Sequence, residues 1–197
     1  MAVNRTPVLK RCRSLGLDPV YLGYDKKSKR ELKRANKKMS EYGLQLREKQ
    51  KAKFIYGVLE KPFYHYFEIA EKMEGKAGEN LITILESRLD NVVFRMGMAL
   101  TRRESRQLVS HGHFMVNGQK VDIPSYRVKV GDVIELCEKS KKSDKFKDVA
   151  EATKGRVVPL WLEANRDAAT AKIVRMPVKD DLDYEVEETF IVELYSK

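Results

Sequence analysis

The chain has 197 residues, and its 39 lysines and arginines against 29 aspartates and glutamates give a formal net charge of +10 at pH 7. This surplus of positive charge favours a polyanionic partner such as nucleic acid. The sequence has no run of about 18 apolar residues and no apolar N-terminal signal, so it predicts a cytoplasmic protein without a membrane partner.

The cysteine content points to an ordinary reducing environment. Cys12 and Cys137 are the two cysteines of the chain. They are too few for a disulfide framework or for a self-contained zinc site. We therefore predict two reduced thiols, and neither a metal nor another cofactor.

Residues 1–43 are predicted to form a basic N-terminal extension with little core of its own. The run from Lys26 to Lys38 holds eight basic residues against one acidic residue. Because like charges repel one another, such a segment either orders against a partner or remains a solvated tail, and the sequence leaves both open.

Residues 44–86 are predicted to be the first part of a mainly helical domain. The apolar spacing from residue 44 to about residue 59 predicts a helix that also carries Arg47, Lys49 and Lys53 as candidate RNA contacts. Tyr56 is a further candidate because its ring could stack on a base, although an aromatic residue at helical spacing is more often part of the core.

Two more helices are predicted before residue 100. Pro62 is expected to end the preceding helix, and a shorter helix follows to about Ala70. Apolar residues then recur at intervals of three and four from Leu81 to Met96, which predicts one continuous helix ending at Gly97.

Arginines on this long helix are candidate phosphate ligands. Arg88 and Arg95 are seven residues apart, so they are expected on the same side, two turns from one another. Asn91 lies between them on that side.

A capping box predicts where the next helix begins. The Thr101 hydroxyl is expected to accept from the Glu104 amide while the Glu104 carboxylate reaches back. The basic face of this helix is predicted to be exposed and to contact RNA, the alternative being an ordinary solvated face. The candidate contacts are Thr101, Arg102, Arg103, Arg106 and Gln107.

After this helix the apolar period changes to two, which indicates a small sheet. Asn117-Gly118 between apolar runs is a strong hairpin signal. A metal site at His111 and His113 is disfavoured, since no cysteine or carboxylate cluster lies nearby in the sequence. The candidate RNA contacts of this region are His111, His113, Asn117 and Lys120.

The remainder of the chain is less informative. Residues 139–147 are lysine-rich and are predicted to be an exposed linker or rim, residues 180–188 are acidic, and residues 190–195 form an apolar strand or helix. The acidic stretch could contact a basic protein neighbour or be a solvated face.

Several of these motifs resemble one protein family. They are Ser-Glu-Tyr-Gly-Leu-Gln-Leu at 40–46, Ser-Arg-Leu-Asp-Asn-Val-Val at 87–93, Thr-Arg-Arg-Glu-Ser-Arg-Gln-Leu-Val-Ser-His-Gly-His at 101–113, Val-Asn-Gly at 116–118, Asp-Ile-Pro-Ser-Tyr at 122–126 and the ending Phe-Ile-Val-Glu-Leu-Tyr-Ser-Lys. Together they resemble the bacterial ribosomal protein S4 family, the fourth protein of the small subunit.

The resemblance implies an α+β protein of the small ribosomal subunit that is not an enzyme. It implies an RNA-binding module at residues 87–150, a two-helix motif followed by a short-stranded sheet, inserted in a mainly helical domain that residues 151–197 rejoin. It further implies early binding of ribosomal RNA at a multi-helix junction of the 5' domain, where the arginines and the hairpin would contact phosphates and the RNA would be read by its shape.

Other partners follow from the resemblance alone. It implies contact with the fifth small-subunit protein, an influence on the accuracy of translation, and a position beside the channel through which messenger RNA enters. Some members repress their own messenger. Some relatives carry an N-terminal cysteine cluster for a metal, but this chain has only Cys12 there.

Two other functions are compatible with parts of the sequence. Arg88-Leu89-Asp90 resembles the catalytic Arg-Leu-Asp of some pseudouridine synthases, although no separate region remains to build an active-site cleft. Two helices around a short turn also resemble a DNA-binding helix-turn-helix, and charge alone does not distinguish DNA from RNA.

Overall fold

A computed structural model describes residues 6–26 and 39–196 of the chain. The chain forms two compact units, the second of which, Thr83–Asp181, is inserted between two segments of the first. The first unit contains the chain up to Ile82 and from Leu182 onward. Apart from Lys26, the predicted basic run lies outside the described residues.

Along the described chain, a run of helices precedes the first strand, and further helices follow among the strands and after them. The α-helices are α1 (Val8–Leu15), α2 (Glu41–Tyr56), α3 (Glu60–Lys72), α4 (Ala77–Glu86), α5 (Leu89–Arg95), α6 (Arg102–Ser110), α7 (Glu138–Lys141), α8 (Asp144–Ala152) and α9 (Glu188–Tyr195). The strands are β1 (Phe114–Val116), β2 (Gln119–Lys120), β3 (Val133–Leu136), β4 (Leu162–Asn165) and β5 (Thr170–Ile173). These elements confirm the predicted α+β class. None of the described helices is long and apolar enough to cross a membrane.

In the first unit, α2 ends at a glycine and not at the predicted proline. Gly57 follows α2 with φ +62°, the left-handed conformation in which glycine terminates helices without steric cost. Pro62 instead lies in the first turn of α3, where its missing N–H has no intrahelical partner to lose. The prediction that Pro62 ends the helix is therefore wrong.

The predicted continuous helix from Leu81 to Met96 is also wrong, because the chain breaks between α4 and α5. Arg88 is extended, with φ −68° and ψ 137°, and forms an isolated antiparallel bridge with Arg127. The Ser87 carbonyl accepts from Val128 N at 2.9 Å, and Leu89 N donates to Tyr126 O at 2.8 Å. Residues 126–128 supply hydrogen-bond partners for these backbone groups. The break between α4 and α5 therefore leaves neither of the two groups without a partner.

The second unit is organised around one antiparallel sheet with strand order β2-β1-β3-β5-β4. Phe114 faces Leu136 between β1 and β3, and β3 pairs in turn with β5. The sheet therefore includes the hairpin at residues 162–173, and the domain boundary predicted at residue 150 falls inside this unit. Trp161, fully buried, belongs to its core.

The lysine-rich stretch at residues 139–147, predicted to be an exposed linker or rim, is helical and belongs to the second unit. It forms α7 and the start of α8, because Phe146 and Val149 of α8 turn inward and are each 5 % exposed. The Phe146 ring meets Phe114 edge to face, with ring centres 6.3 Å apart. The lysines occupy the outer side of an element that its apolar residues anchor.

In the first unit, the apolar end of the chain forms α9, which packs on α2. Gln45 Nε2 donates to Glu193 Oε2 at 2.9 Å, and Tyr195 OH donates to Glu60 Oε1 at 2.8 Å. The Tyr195 ring also lies 4.8 Å from the Phe67 ring. Residues separated by most of the sequence thus close one helical core.

Glu60 is the charged centre of this contact. Lys49 Nζ lies 2.8 Å from its carboxylate, and Lys53 binds its other oxygen. Burial alone would raise the pKa of Glu60, but hydrogen bonds from Lys49, Lys53 and Tyr195 outweigh it and lower the pKa to about 2. Burial and the same carboxylate raise the pKa of Tyr195.

We expect replacement of Glu60 by Gln to destabilise the protein in a pH-dependent way. A carboxylate whose pKa is lowered by folding stabilises above its ordinary pKa, and this contribution is lost as pH falls towards about 2. The difference from wild type in the free energy of unfolding, measured by urea titration with far-ultraviolet circular dichroism, should be full above about pH 5 and shrink below it. Glu68→Gln, which removes a carboxylate from α3 outside the α2–α9 contact, is the control. A Glu60→Gln difference that is constant with pH would contradict this assignment.

Candidate nucleic-acid interface

The Asp90 carboxylate, near the start of α5, is the centre of one buried network in the second unit. Arg88 donates to both of its oxygens, from Nε at 3.0 Å and from Nη2 at 2.7 Å. Arg106 of α6 donates from Nε at 2.9 Å, and Ser105 Oγ donates to the Asp90 backbone carbonyl. One residue thus holds two arginines and joins α5 to α6.

The Glu86 carboxylate, at the end of α4, forms a second network. It accepts from Asn91 Nδ2 at 2.7 Å and from Arg95 Nη2 at 2.9 Å. Asn91 Oδ1 accepts in turn from Arg102 Nε at 2.8 Å, and the Arg102 guanidinium lies 4.3 Å from the centre of the Phe94 ring. The contacts pass from Glu86 through Asn91 to α6, so this network also fixes the two helices against each other.

These networks turn three predicted phosphate contacts inward. Arg88, Arg95 and Arg102 are each 5 % exposed, so the prediction that they face outward on a basic surface is wrong. The physical reason is that Asp90 supplies a countercharge to Arg88 and Glu86 supplies one to Arg95. Arg102 instead donates to Asn91 and lies over the Phe94 ring. Arg106 is intermediate, with 23 % of its side chain exposed. A direct contact of these arginines with RNA stays a prediction, and their burial weighs against it.

The start of α6 has the predicted capping box. Thr101 Oγ accepts from Glu104 N at 3.2 Å, and the Glu104 carboxylate accepts from Leu100 N at 2.8 Å. The Thr101 hydroxyl is therefore engaged in capping the N-terminus of α6.

The exposed polar face of α6 is formed by Arg103, Gln107 and the His111 that caps its C-terminus. Successive residues four apart lie on one side of a helix, so these three side chains share a surface. This surface is what remains of the basic face predicted for α6. It lies over helices whose orientation the Asp90 and Glu86 networks fix.

Lys120 of β2 adjoins this face at the turn after α6. A Cβ added to Gly112, which has φ +69°, would overlap the Lys120 side chain and lie 2.8 Å from its Nζ. Gly112 therefore allows both the left-handed turn and the close approach of Lys120. The ring of His113 lies beyond this turn, 6.1 Å from the ring of His111.

Asn117 is engaged in holding two turns together. Its backbone has φ +51°, as hairpin turns require. Its amide nitrogen donates to Asp132 Oδ1 at 2.8 Å, and its oxygen accepts from Val133 N at 2.9 Å. The residue is exposed, but both ends of its amide are used inside the unit, so its contact with RNA stays a prediction.

The predicted contacts on α2 belong to the first unit and are engaged there. Arg47 Nε donates to Leu15 O at 3.2 Å, and Lys49 and Lys53 bind Glu60. Tyr56 is 2 % exposed and shares a hydrogen bond with a second buried tyrosine. The interpretation of Tyr56 as a core residue is therefore correct, and its ring is not available for stacking on a base.

Arg156 is a residue that the sequence analysis missed. Its Nη1 donates to Phe94 O at 3.0 Å and to Ala99 O at 2.9 Å, and its Nη2 donates to Leu100 O at 3.0 Å. It thus satisfies three carbonyls between α5 and α6. A lone arginine far along the chain gives no sequence signal of this role.

The chemistry of this surface rests on charge and hydrogen bonding. Over residues 6–26 and 39–196, no three or more histidine, cysteine, aspartate or glutamate side chains are grouped so as to hold a metal ion. Cys12 and Cys137 are free cysteines, and burial raises the pKa of the Cys12 thiol to about 11.

Matches to known families cover residues 4–134 of the chain. Residues 87–134 match the family described as S4 domain. Residues 4–86 match the family described as ribosomal protein S4/S9 N-terminal domain. The helices α5 and α6, the β1–β2 hairpin and the start of β3 all lie within the match to the S4 domain.

Relatives in three bacteria are similar over their full length. Proteins named small ribosomal subunit protein uS4 are 62 % identical in Lachnospira eligens, 60 % in Agathobacter rectalis and 59 % in Lachnoclostridium phytofermentans. Each comparison covers 100 % of this chain and 100 % of the relative.

Replacement of Asp90 by Asn should destabilise the second unit by about 3 kcal/mol, because removing one partner of a buried ion pair leaves the other uncompensated. Trp161, the single tryptophan, reports unfolding of this unit by its fluorescence in urea. The matched control is Asp144→Asn, since the Asp144 side chain is 88 % exposed and its pair with Lys147 should contribute less than about 0.5 kcal/mol. Equal stability of the two variants would contradict the central role of Asp90.

Proposed function

The chain belongs to the ribosomal protein S4 family, and from this premise we propose that it binds small-subunit ribosomal RNA early, at a multi-helix junction of the 5' domain, and thereby nucleates assembly. It is a structural, non-enzymatic protein of the small ribosomal subunit, located with the ribosome in the cytoplasm. The second unit would be its principal RNA-binding module, and RNA the polyanion that the net charge of +10 attracts.

The observation that carries the proposal is the exposed face of α6 beside the hairpin. Arg103, Gln107 and His111 share this face, and Lys120 lies at the adjoining turn. A helix and a hairpin at fixed separation suit two stretches of RNA backbone, because double-stranded RNA hides its base edges and is read by phosphate and ribose positions. Selectivity would come from the spacing between the contacts.

Internal pairing of the buried arginines supports the nucleating role. Asp90 and Glu86 hold α5 against α6 before any RNA is present. A surface that is already ordered loses little conformational entropy on binding, so more of the interaction energy appears as affinity. A protein of this kind can stabilise a junction on which later proteins build.

Contacts with other partners are part of the proposal. The exposed carboxylates of Asp183, Glu185 and Glu187, in the first unit, would suit a basic protein neighbour, and we propose the fifth small-subunit protein. The position beside the channel for messenger RNA, and the influence on translational accuracy, rest on the family resemblance.

Two other functions are less well supported. Asp90, the residue that resembles a catalytic aspartate, is 3 % exposed and bound to two arginines, so it does not face a substrate. A DNA-binding regulator remains compatible with the charge, but a protein that reads a DNA groove should be displaced by duplex DNA.

The test is binding of the purified protein to a fragment containing the 5' domain of small-subunit ribosomal RNA. We expect tight binding of this fragment, with transfer RNA and duplex DNA acting only as weak competitors. The logarithm of the association constant should fall linearly with the logarithm of the salt concentration, with a slope of about −0.7 to −0.9 per phosphate contact. Equal displacement by any polyanion would overturn the proposal, and strong displacement by duplex DNA would favour the regulator.

Replacement of Arg103 by Ala should weaken binding about fivefold to tenfold and reduce the salt slope by about one contact. The fluorescence of Trp161 should report an unchanged urea midpoint, because Arg103 is exposed. Arg106 is unsuitable for this test since it also binds Asp90. Lys172→Ala, which removes an exposed charge from β5, is the matched control. Equal losses in both variants would mean that only net charge matters.

A further inference from the structure

Four side chains that can carry positive charge surround the turn at Gly112. They are His111 at the end of α6, His113 before β1, Lys120 of β2 and Lys145 of α8, and we call them the histidine–lysine cluster. They come from separate elements, so the fold and not the local sequence brings them together.

Direct contacts define the cluster. The His111 and His113 rings are 6.1 Å apart, and the Lys120 chain lies against Gly112 between them. Lys145 directly precedes Phe146, whose ring is 5.6 Å from the ring of His113. His111, Lys120 and Lys145 are exposed, and His113 is half-buried, so the group opens to solvent.

The surroundings of His113 contain little negative charge. Its Nδ1 lies 2.8 Å from Ser140 Oγ of α7. Cys137, whose Sγ lies 3.6 Å from the Gly112 carbonyl, is the nearby thiol. Glu104 of α6 is the one acidic group with a described contact to the cluster, and Lys145 reaches it at 3.2 Å. Burial, followed by the positive charges of His111, Lys145 and Lys120, lowers the pKa of His113.

We propose that the histidine–lysine cluster is a phosphate-binding site for the RNA backbone, and that its occupation is coupled to proton uptake by His113. The inference rests on the proposed function and adds to it one residue, Lys145, and one linked ion, the proton. Without an anion the cluster is a site of mutual repulsion. A phosphate among the four groups converts that repulsion into attraction.

The contact with Ser140 allows His113 to change its protonation state without losing a hydrogen bond. With neutral His113, the Ser140 hydroxyl can donate to Nδ1, which leaves the proton on Nε2. With protonated His113, Nδ1–H donates to the same hydroxyl oxygen. In both states Nε2–H is a donor for a phosphate oxygen, and protonation adds a full charge.

The sign of the effect follows from linkage. The free protein holds His113 neutral at neutral pH, and a bound phosphate favours the charged form. The complex therefore binds more protons than the free components do. Affinity for RNA should rise as pH falls through the histidine range, by up to about tenfold for each unit by which binding raises a histidine pKa.

The experiment measures affinity for the 5'-domain fragment at constant salt from about pH 8 to about pH 6, the range in which histidine titrates. We expect binding to tighten about threefold to tenfold over this range. His113→Gln should remove most of this dependence. His65→Gln, which changes the remaining histidine of the chain, should retain all of it. Trp161 fluorescence checks that each variant is folded.

A second pair of variants tests the lysine. Lys145→Gln should weaken binding and lower the salt slope by about one contact, while Lys147→Gln, on the same helix with its side chain 68 % exposed, should do neither. Addition of inorganic phosphate tests whether the site takes a free phosphate or a phosphate of the RNA backbone. If the ligand is the RNA backbone, inorganic phosphate should compete only weakly with the RNA fragment.

The outcomes separate the two proposals. Tight, selective RNA binding that does not change with pH, or that His113→Gln and Lys145→Gln leave unaltered, would overturn the cluster and leave the proposed function standing. Absence of selective binding to the RNA fragment at every pH would overturn both. A pH dependence that His65→Gln also removes would overturn the assignment to this cluster.

Discussion

The ion pairs between buried carboxylates and buried arginines hold the second unit together. Asp90 binds Arg88 and Arg106, and Glu86 binds Arg95 and, through Asn91, Arg102. Transfer of a guanidinium from water to a protein interior is costly, so Arg88 and Arg95 are stable there because their carboxylates and their hydrogen bonds are in place. The geometry of α5 and α6 is therefore set by these directional contacts together with the apolar core on which both helices pack.

This arrangement divides the basic residues of the unit into two groups with different roles. Arg88 and Arg95 neutralise internal acids, and Arg102 is buried against Asn91 and the Phe94 ring. Arg103 and Lys120, by contrast, face solvent. The number of arginines in a sequence motif thus overstates the number available to a nucleic acid. A modest count of exposed contacts on a rigid frame agrees better with recognition by shape than with attraction by charge alone.

The sequence was sufficient for the elements with local signals. Thr101 and Glu104 predicted the start of α6, and Asn117-Gly118 predicted the hairpin, because caps and tight turns depend on residues a few positions apart. The break at Arg88 was not predictable, since it depends on a β-bridge to Arg127. The inward orientation of the arginines was missed for the same reason: Glu86 meets Arg95 only because the chain turns between them. Lys145 is distant in sequence from the histidines, so only the fold associates it with them.

The insertion of one unit within the other has a consequence for protein synthesis. The strands and helices of the second unit are complete once residue 181 has left the ribosome that is making the chain. The first unit must wait for α9, because Gln45 and Glu60 find their partners at Glu193 and Tyr195. The growing chain therefore holds a finished module while α2 still exposes the surface that α9 will cover, and α9 closes a core that the preceding helices began.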